Sequence, residues 1–247
     1  VHEDELLLSY YFLNREMKRI IVYGSIFLAA LIVAFILLKS VSAPTVSILG
    51  DSYSTFYGHV PEGHACWYGT PDFDKNNDVR SVEETWWQRF LSESGWTLVL
   101  NNSYSGSTIC NTGYGGADFS DRSFITRAKD LGNPDVILVF GGTNDSWAKS
   151  PVGDFKYADW TVDDLYRFRP AFSYLLDYLT THYAKAKIYN ITNTQLSSEV
   201  EESMEEICRH YQVPNIRLHD IDKQEGHPSV MGMDSICEQV SRLLLRK

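Results

Sequence analysis

Hydrophobic positions along the chain fall into two patterns, one continuous and one spaced. Residues 135–140 (DVILVF) form an apolar run behind a single aspartate, ending at Gly141 and Gly142. Continuous rather than alternating apolarity suits a parallel strand covered on both faces. The runs at 45–49 (TVSIL), 96–100 (WTLVL), 187–191 (KIYNI) and 215–221 (NIRLHDI) read as further strands. Between them the spacing turns helical: 82–94, stopped by Gly95 as a C-cap; 163–183, with Pro170 marking a kink or a break; 198–210; and 234–245. This β–α alternation predicts an α/β domain, an open parallel sheet with helices on both faces. Sites in such sheets form at the carboxyl ends of the strands.

One segment breaks the pattern. Residues 20–38 carry no charge and are built from Ile, Leu, Val, Ala and Phe with a few small or aromatic residues. Met17-Lys18-Arg19 precedes the run and Val41-Ser42-Ala43 follows it, a basic, apolar and small-x-small order that predicts export. The expected division is 1–16 as the product of an over-extended start, 17–43 as a signal peptide or membrane anchor, and 44–247 as the functional domain. The apolar run suffices to span a bilayer, which takes about 17–25 residues, and Pro44 disfavours cleavage after Ala43. With Lys18 and Arg19 on the cytoplasmic side, the domain faces outward, whether periplasmic, on the cell surface or secreted. The membrane is a partner only through this segment.

Composition adds little except exclusions. A net charge of −10 and the absence of a basic stripe argue against nucleic acid. Four cysteines, Cys66, Cys110, Cys208 and Cys237, show no zinc spacing. Cys208 and Cys237 fall in helical segments and read as buried thiols; a Cys66–Cys110 bridge is compatible with an oxidising compartment. Asp72, Asp74 and Asp78 resemble a calcium loop only faintly, without its glycine and terminal glutamate, and read as a solvated loop.

Four short segments directly follow predicted strands, and each supplies a part of acyl-transfer chemistry. Gly50-Asp51-Ser52 places a serine in a turn where its hydroxyl can attack once a base takes the proton. Ser105-Gly106-Ser107 offers a backbone N–H to a developing oxyanion. Gly141-Gly142-Thr143-Asn144-Asp145 offers the Asn144 carboxamide to the same charge. His227-Pro228-Ser229 supplies the imidazole that commonly partners a serine. Each segment alone is an ordinary turn; their joint presence in this order is what carries the reading.

In that order the blocks resemble the SGNH/GDSL hydrolase family, from Thr45 to the final helix. The resemblance implies a flavodoxin-like three-layer α/β/α sandwich with no metal or organic cofactor. It implies Ser52 as nucleophile, His227 as base, and an oxyanion hole of Ser52, Gly106 and Asn144. It also implies a small-molecule or glycan acyl ester as substrate, on carbohydrate, lipid or peptidoglycan. One position departs from the family: Gln224 stands where an aspartate usually precedes the histidine by three residues. Asp222 ranks first as the group that orients His227, Glu225 second, and a backbone carbonyl third, with Gln224 able to fix the tautomer without supplying charge. The aromatics Tyr53, Phe56, Tyr57, Trp67, Tyr68, Trp86 and Trp87 crowd the stretch after Ser52, and any exposed ones suit stacking on sugars. The leading expectation is an exported esterase acting on acylated carbohydrate. An acyltransferase on the same fold and a non-catalytic carbohydrate-binding protein derived from it are the alternatives.

Overall fold

A computed structural model describes residues 2–39, 43–71 and 76–245. The chain divides into two units, Val1–Ala43 and Pro44–Lys247. The first is one helix, α1 (His2–Lys39), whose side chains are described over residues 13–33. Within that stretch the uncharged run covers only 20–33, preceded by Arg15, Glu16, Lys18 and Arg19. Among the described residues no helix is long and apolar enough to cross a membrane. The side chains of 34–38, the expected cleavage residues Val41 and Ser42, and Asp72 and Asp74 lie outside the described residues.

The second unit is built on five strands: β1 (Thr45–Gly50), β2 (Thr97–Ser103), β3 (Val136–Gly141), β4 (Lys187–Thr192) and β5 (Asn215–Arg217). All neighbours pair in parallel, in the order β2-β1-β3-β4-β5. This is the doubly wound order of flavodoxin-like folds, whose connections place helices on both faces. The helices are α2 (Trp86–Ser94), α3 (Phe124–Arg127), α4 (Thr143–Ala148), α5 (Phe168–His182), α6 (Ser198–His210) and α7 (Val230–Leu244). Strand β3 shows why its sequence is apolar throughout. Leu138 and Phe140 pack with Trp86, Phe90 and Ile236 of α2 and α7; Ile137 and Val139 pack with Phe124, Phe172 and Met204 of α3, α5 and α6.

Boundaries differ from the sequence reading where polar groups are satisfied by tertiary partners. Strand β2 runs three residues past Leu100, because Asn101 donates to Ser54 O and Asn102 to the carbonyls of Arg127 and Asp130. The 163–183 helix is a 3-10 turn at Asp163–Tyr166 followed by α5, where Pro170 occupies the first turn and costs no internal hydrogen bond. Helix α7 starts earlier than expected, at a Ser229 N-cap that accepts from Gly232 N at 3.1 Å. All four cysteines are free, so the Cys66–Cys110 bridge does not form; their thiols donate instead to His64 O and Thr112 O.

Candidate active site

The chain leaves the carboxyl end of β1 at Gly50, where a Cβ would stand 2.5 Å from Ser103 Oγ and 2.9 Å from Ser54. Only glycine allows this crowding, which seats the next residues under the sheet edge. Asp51 caps a single 3-10 turn, Ser52–Ser54, its Oδ1 accepting from Tyr53 N at 3.1 Å. Ser52 is 3% exposed and His227 5%. Ser52 Oγ lies 2.9 Å from His227 Nε2 although 175 residues separate them.

His227 is held by a hairpin absent from the sequence reading. Strands β6 (Lys223–Gln224) and β7 (His227–Pro228) pair antiparallel across Glu225 and Gly226, whose φ values of 51° and 76° both lie in the left-handed region. Two positive-φ residues between paired strands are the tight-turn pattern that Gly favours at its second position. The turn brings Glu225 O to 3.1 Å from His227 Nδ1. A carbonyl only accepts, so Nδ1 carries the proton and Nε2 presents its lone pair to the Ser52 hydroxyl. Tyr53 OH binds Gly226 O at 2.5 Å, and Tyr68 OH and Asn77 Nδ2 bind Pro228 O at 2.9 and 3.1 Å. The imidazole stacks on Trp67 with ring centroids 3.4 Å apart and planes within 5°, and meets Trp147 edge-on at 5.8 Å.

This arrangement corrects the expectation for Asp222. Its carboxylate accepts from the Ser229 hydroxyl and its carbonyl from Ser229 N, so it closes the base of the hairpin instead of reaching His227. Gln224 Oε1 accepts from Asp78 N at 2.8 Å. Glu225 contributes its carbonyl to His227, and its side chain is exposed.

The remaining candidates form a second cluster joined to the first through Gly50, whose carbonyl accepts from Tyr104 N at 3.1 Å. Gly106 has φ +81°, which L side chains rarely adopt, and a Cβ there would meet nothing within 4 Å, so its backbone is approachable. Asn144 and Asp145 open α4 and zip it to the same loop. Asn144 Nδ2 donates to Ser107 O at 2.9 Å; the Asp145 carboxylate accepts from Ile109 N at 2.7 Å and Cys110 N at 3.1 Å. Behind them Arg127 is buried, donating to Asn102 O, to Gly50 O at 3.2 Å and to Ser107 Oγ at 2.8 Å. One guanidinium thus ties the ends of β1 and β2 to the Gly106 loop. Its burial lowers its own pKa to about 9.

Burial also pushes the Asp51 carboxyl up to about 7, against the pull of the Tyr53 N–H and the Arg127 charge, and Asp145 up to about 6. Unfolded, each ionises near its ordinary value, about 3.9. Between the two values the native state binds more protons, so stability is lost as pH rises through that window and the loss is complete above the folded value. The thermal midpoint is expected to fall from about pH 5 to about pH 8, with a shallower fall in Asp51→Asn. An unchanged slope in the variant would assign the effect elsewhere.

Several site residues were not legible from motifs. Tyr53, Tyr68, Trp86 and Trp87, considered above for sugar stacking, are buried. Of the aromatics considered there Tyr57 is exposed, and among the described residues Trp147 and Tyr114, both 42% exposed, stand beside His227 and Asn144. Trp147 follows Asn144 by three residues on α4, a spacing that puts both on one side of a helix. Neither Tyr114 nor Arg127 carries a comparable signal.

Comparison with known proteins agrees with this fold. The model of the GDSL-like Lipase/Acylhydrolase family matches residues 44–244. A crystal structure from Bacteroides uniformis, described as a GDSL-like lipase, is 64% identical over 84% of this chain and 98% of its own, with a TM-score of 0.83. One from Bacteroides ovatus, described likewise, is 51% identical over 83% of this chain and 100% of its own, at a TM-score of 0.81. A family two carbohydrate esterase from Cellvibrio japonicus shares the fold at 12% identity, covering 82% of this chain and 61% of its own with a TM-score of 0.51. No curated protein matches significantly. The chain belongs to the GDSL-like lipase/acylhydrolase family.

Proposed function

We propose that this protein is an exported serine esterase that cleaves acyl groups from carbohydrate, with Ser52 as nucleophile and His227 as base. The observation that carries the reading is the 2.9 Å Ser52–His227 hydrogen bond, with the tautomer set by Glu225 O. Ser52 Oγ attacks the ester carbonyl carbon while its proton passes to His227 Nε2. The Ser52 and Gly106 N–H groups and the Asn144 amide receive the oxyanion. Collapse breaks the bond to the leaving oxygen, which takes the proton from His227 and departs as the alcohol. His227 then deprotonates water, which attacks the acyl-enzyme and restores Ser52. In the imidazolium state Nδ1–H stays on Glu225 O and the ring lies on the face of Trp67, a cation–π geometry worth about 0.5–2 kcal/mol.

Carbohydrate as the leaving group is supported by Trp147 and Tyr114, exposed aromatic faces beside His227 and Asn144. The carbohydrate-esterase name of the Cellvibrio neighbour points the same way. Export rests on the basic, apolar and small-residue order of residues 17–43. The test is hydrolysis of p-nitrophenyl acetate and butyrate beside an acetylated oligosaccharide, with a competing alcohol present. Release of free acid, fastest from the acetylated sugar, is expected. Acyl transfer to the alcohol would make the protein a transferase, and inertness on all three would remove the esterase reading.

A further inference from the structure

Tyr114 stands on a single 3-10 turn, Tyr114–Gly116, in the connection between β2 and α3. It is partly exposed, yet its hydroxyl lies 2.7 Å from Oδ1 of buried Asn144. An amide oxygen only accepts, so the phenol is the donor. At the other end of the amide, Nδ2 donates to Ser107 O at 2.9 Å. The Ser107 carbonyl only accepts, so it fixes which end of the amide carries NH2, and with that end fixed the phenol is left to donate into Oδ1.

We infer that Tyr114 is a positioning residue of the oxyanion hole, locking the Asn144 amide in the orientation that leaves its second N–H for the oxyanion. This rests on the roles proposed above for Ser52, Gly106 and Asn144. The hydroxyl also strengthens that N–H. A hydrogen bond into the amide oxygen draws density from the nitrogen, and chained hydrogen bonds reinforce one another where water is excluded. The gain scales with charge on the acceptor, so it is larger for the tetrahedral oxyanion than for the ground-state carbonyl. Burial, with Asp51 and Asp145 nearby, holds the phenol up at about 12, so the donor persists at neutral and mildly alkaline pH.

The decisive experiment is a double-mutant cycle of Tyr114→Phe and Asn144→Ala on p-nitrophenyl acetate, with inhibition by phenylboronic acid, which forms a tetrahedral adduct on a serine. Tyr114→Phe is expected to lower kcat by about five- to ten-fold with KM unchanged, the size of one lost hydrogen bond. Boronate affinity should weaken by the same factor and the thermal midpoint should hold. On top of Asn144→Ala, Tyr114→Phe should cost nothing further, since its effect runs through the amide. Wild-type kcat in Tyr114→Phe, a change confined to KM, or a full further loss on top of Asn144→Ala would each overturn the inference. If Ser52→Ala stays fully active the serine mechanism falls, and this inference with it. If Ser52→Ala is inert and Tyr114→Phe behaves as wild type, only the role of Tyr114 falls.

Discussion

Ser52→Ala is expected to lower hydrolysis of an activated acyl ester by about 10^4- to 10^6-fold, and His227→Ala by a similar factor. The two groups act as a unit. Without the hydroxyl there is no covalent route, and without the imidazole the hydroxyl keeps its proton. The double variant should therefore be barely worse than either single one, and the residual rate reflects the oxyanion donors and substrate binding. Folding should survive both changes. Tyr53 and Tyr68 hold the hairpin through Gly226 O and Pro228 O, bonds that need neither the Ser52 hydroxyl nor the imidazole. Kinetics of the purified variants, with thermal midpoints beside them, check this. Additive losses would mean that Ser52 and His227 serve separate steps.

The second large effect is expected at Asn144. Removing one side-chain donor from an oxyanion hole costs about 2.7–4 kcal/mol, or 10²- to 10³-fold in kcat. Asn144→Ala should fall in that range with KM little changed, because the donor serves the transition state more than the bound ester. It also releases Ser107 O, but Asp145 still holds Ile109 N and Cys110 N, so the Gly106 loop keeps an anchor. Asn144→Asp is the sharper variant, of equal size and unable to donate when ionised, and its loss should match or exceed that of alanine. A rise in KM with kcat preserved would move Asn144 from charge stabilisation to ground-state binding.

What was legible in the sequence follows from where the physics is local. The apolar runs of β1, β3 and β4 announce buried parallel strands because their own side chains fill both faces. Ser52, Gly106 and Asn144 follow the ends of β1, β2 and β3 on one edge of the sheet, whereas His227 reaches Ser52 from the β6–β7 hairpin. The misses are non-local. The end of β2 looks like a turn, and Asn101 and Asn102 pair with β1 as strand while their buried amides are satisfied by carbonyls 25 to 47 residues away. Asp222 looked like the orienting acid because a carboxylate near a histidine usually is one. The Glu225-Gly226 turn instead aims a main-chain carbonyl at Nδ1, and backbone roles leave little trace in residue identity. Tyr114 acts through one long-range hydrogen bond and Arg127 through three, and no spacing encodes them.

The central claim is that Ser52 is an activated nucleophile and His227 activates it. Its most direct test is reaction with a fluorophosphonate, followed by intact mass and peptide mapping. One adduct per chain on Ser52 is expected, absent in Ser52→Ala and formed on the order of 100-fold more slowly in His227→Ala. No adduct on Ser52 in a protein that still hydrolyses esters would contradict the account, as would labelling that ignores His227.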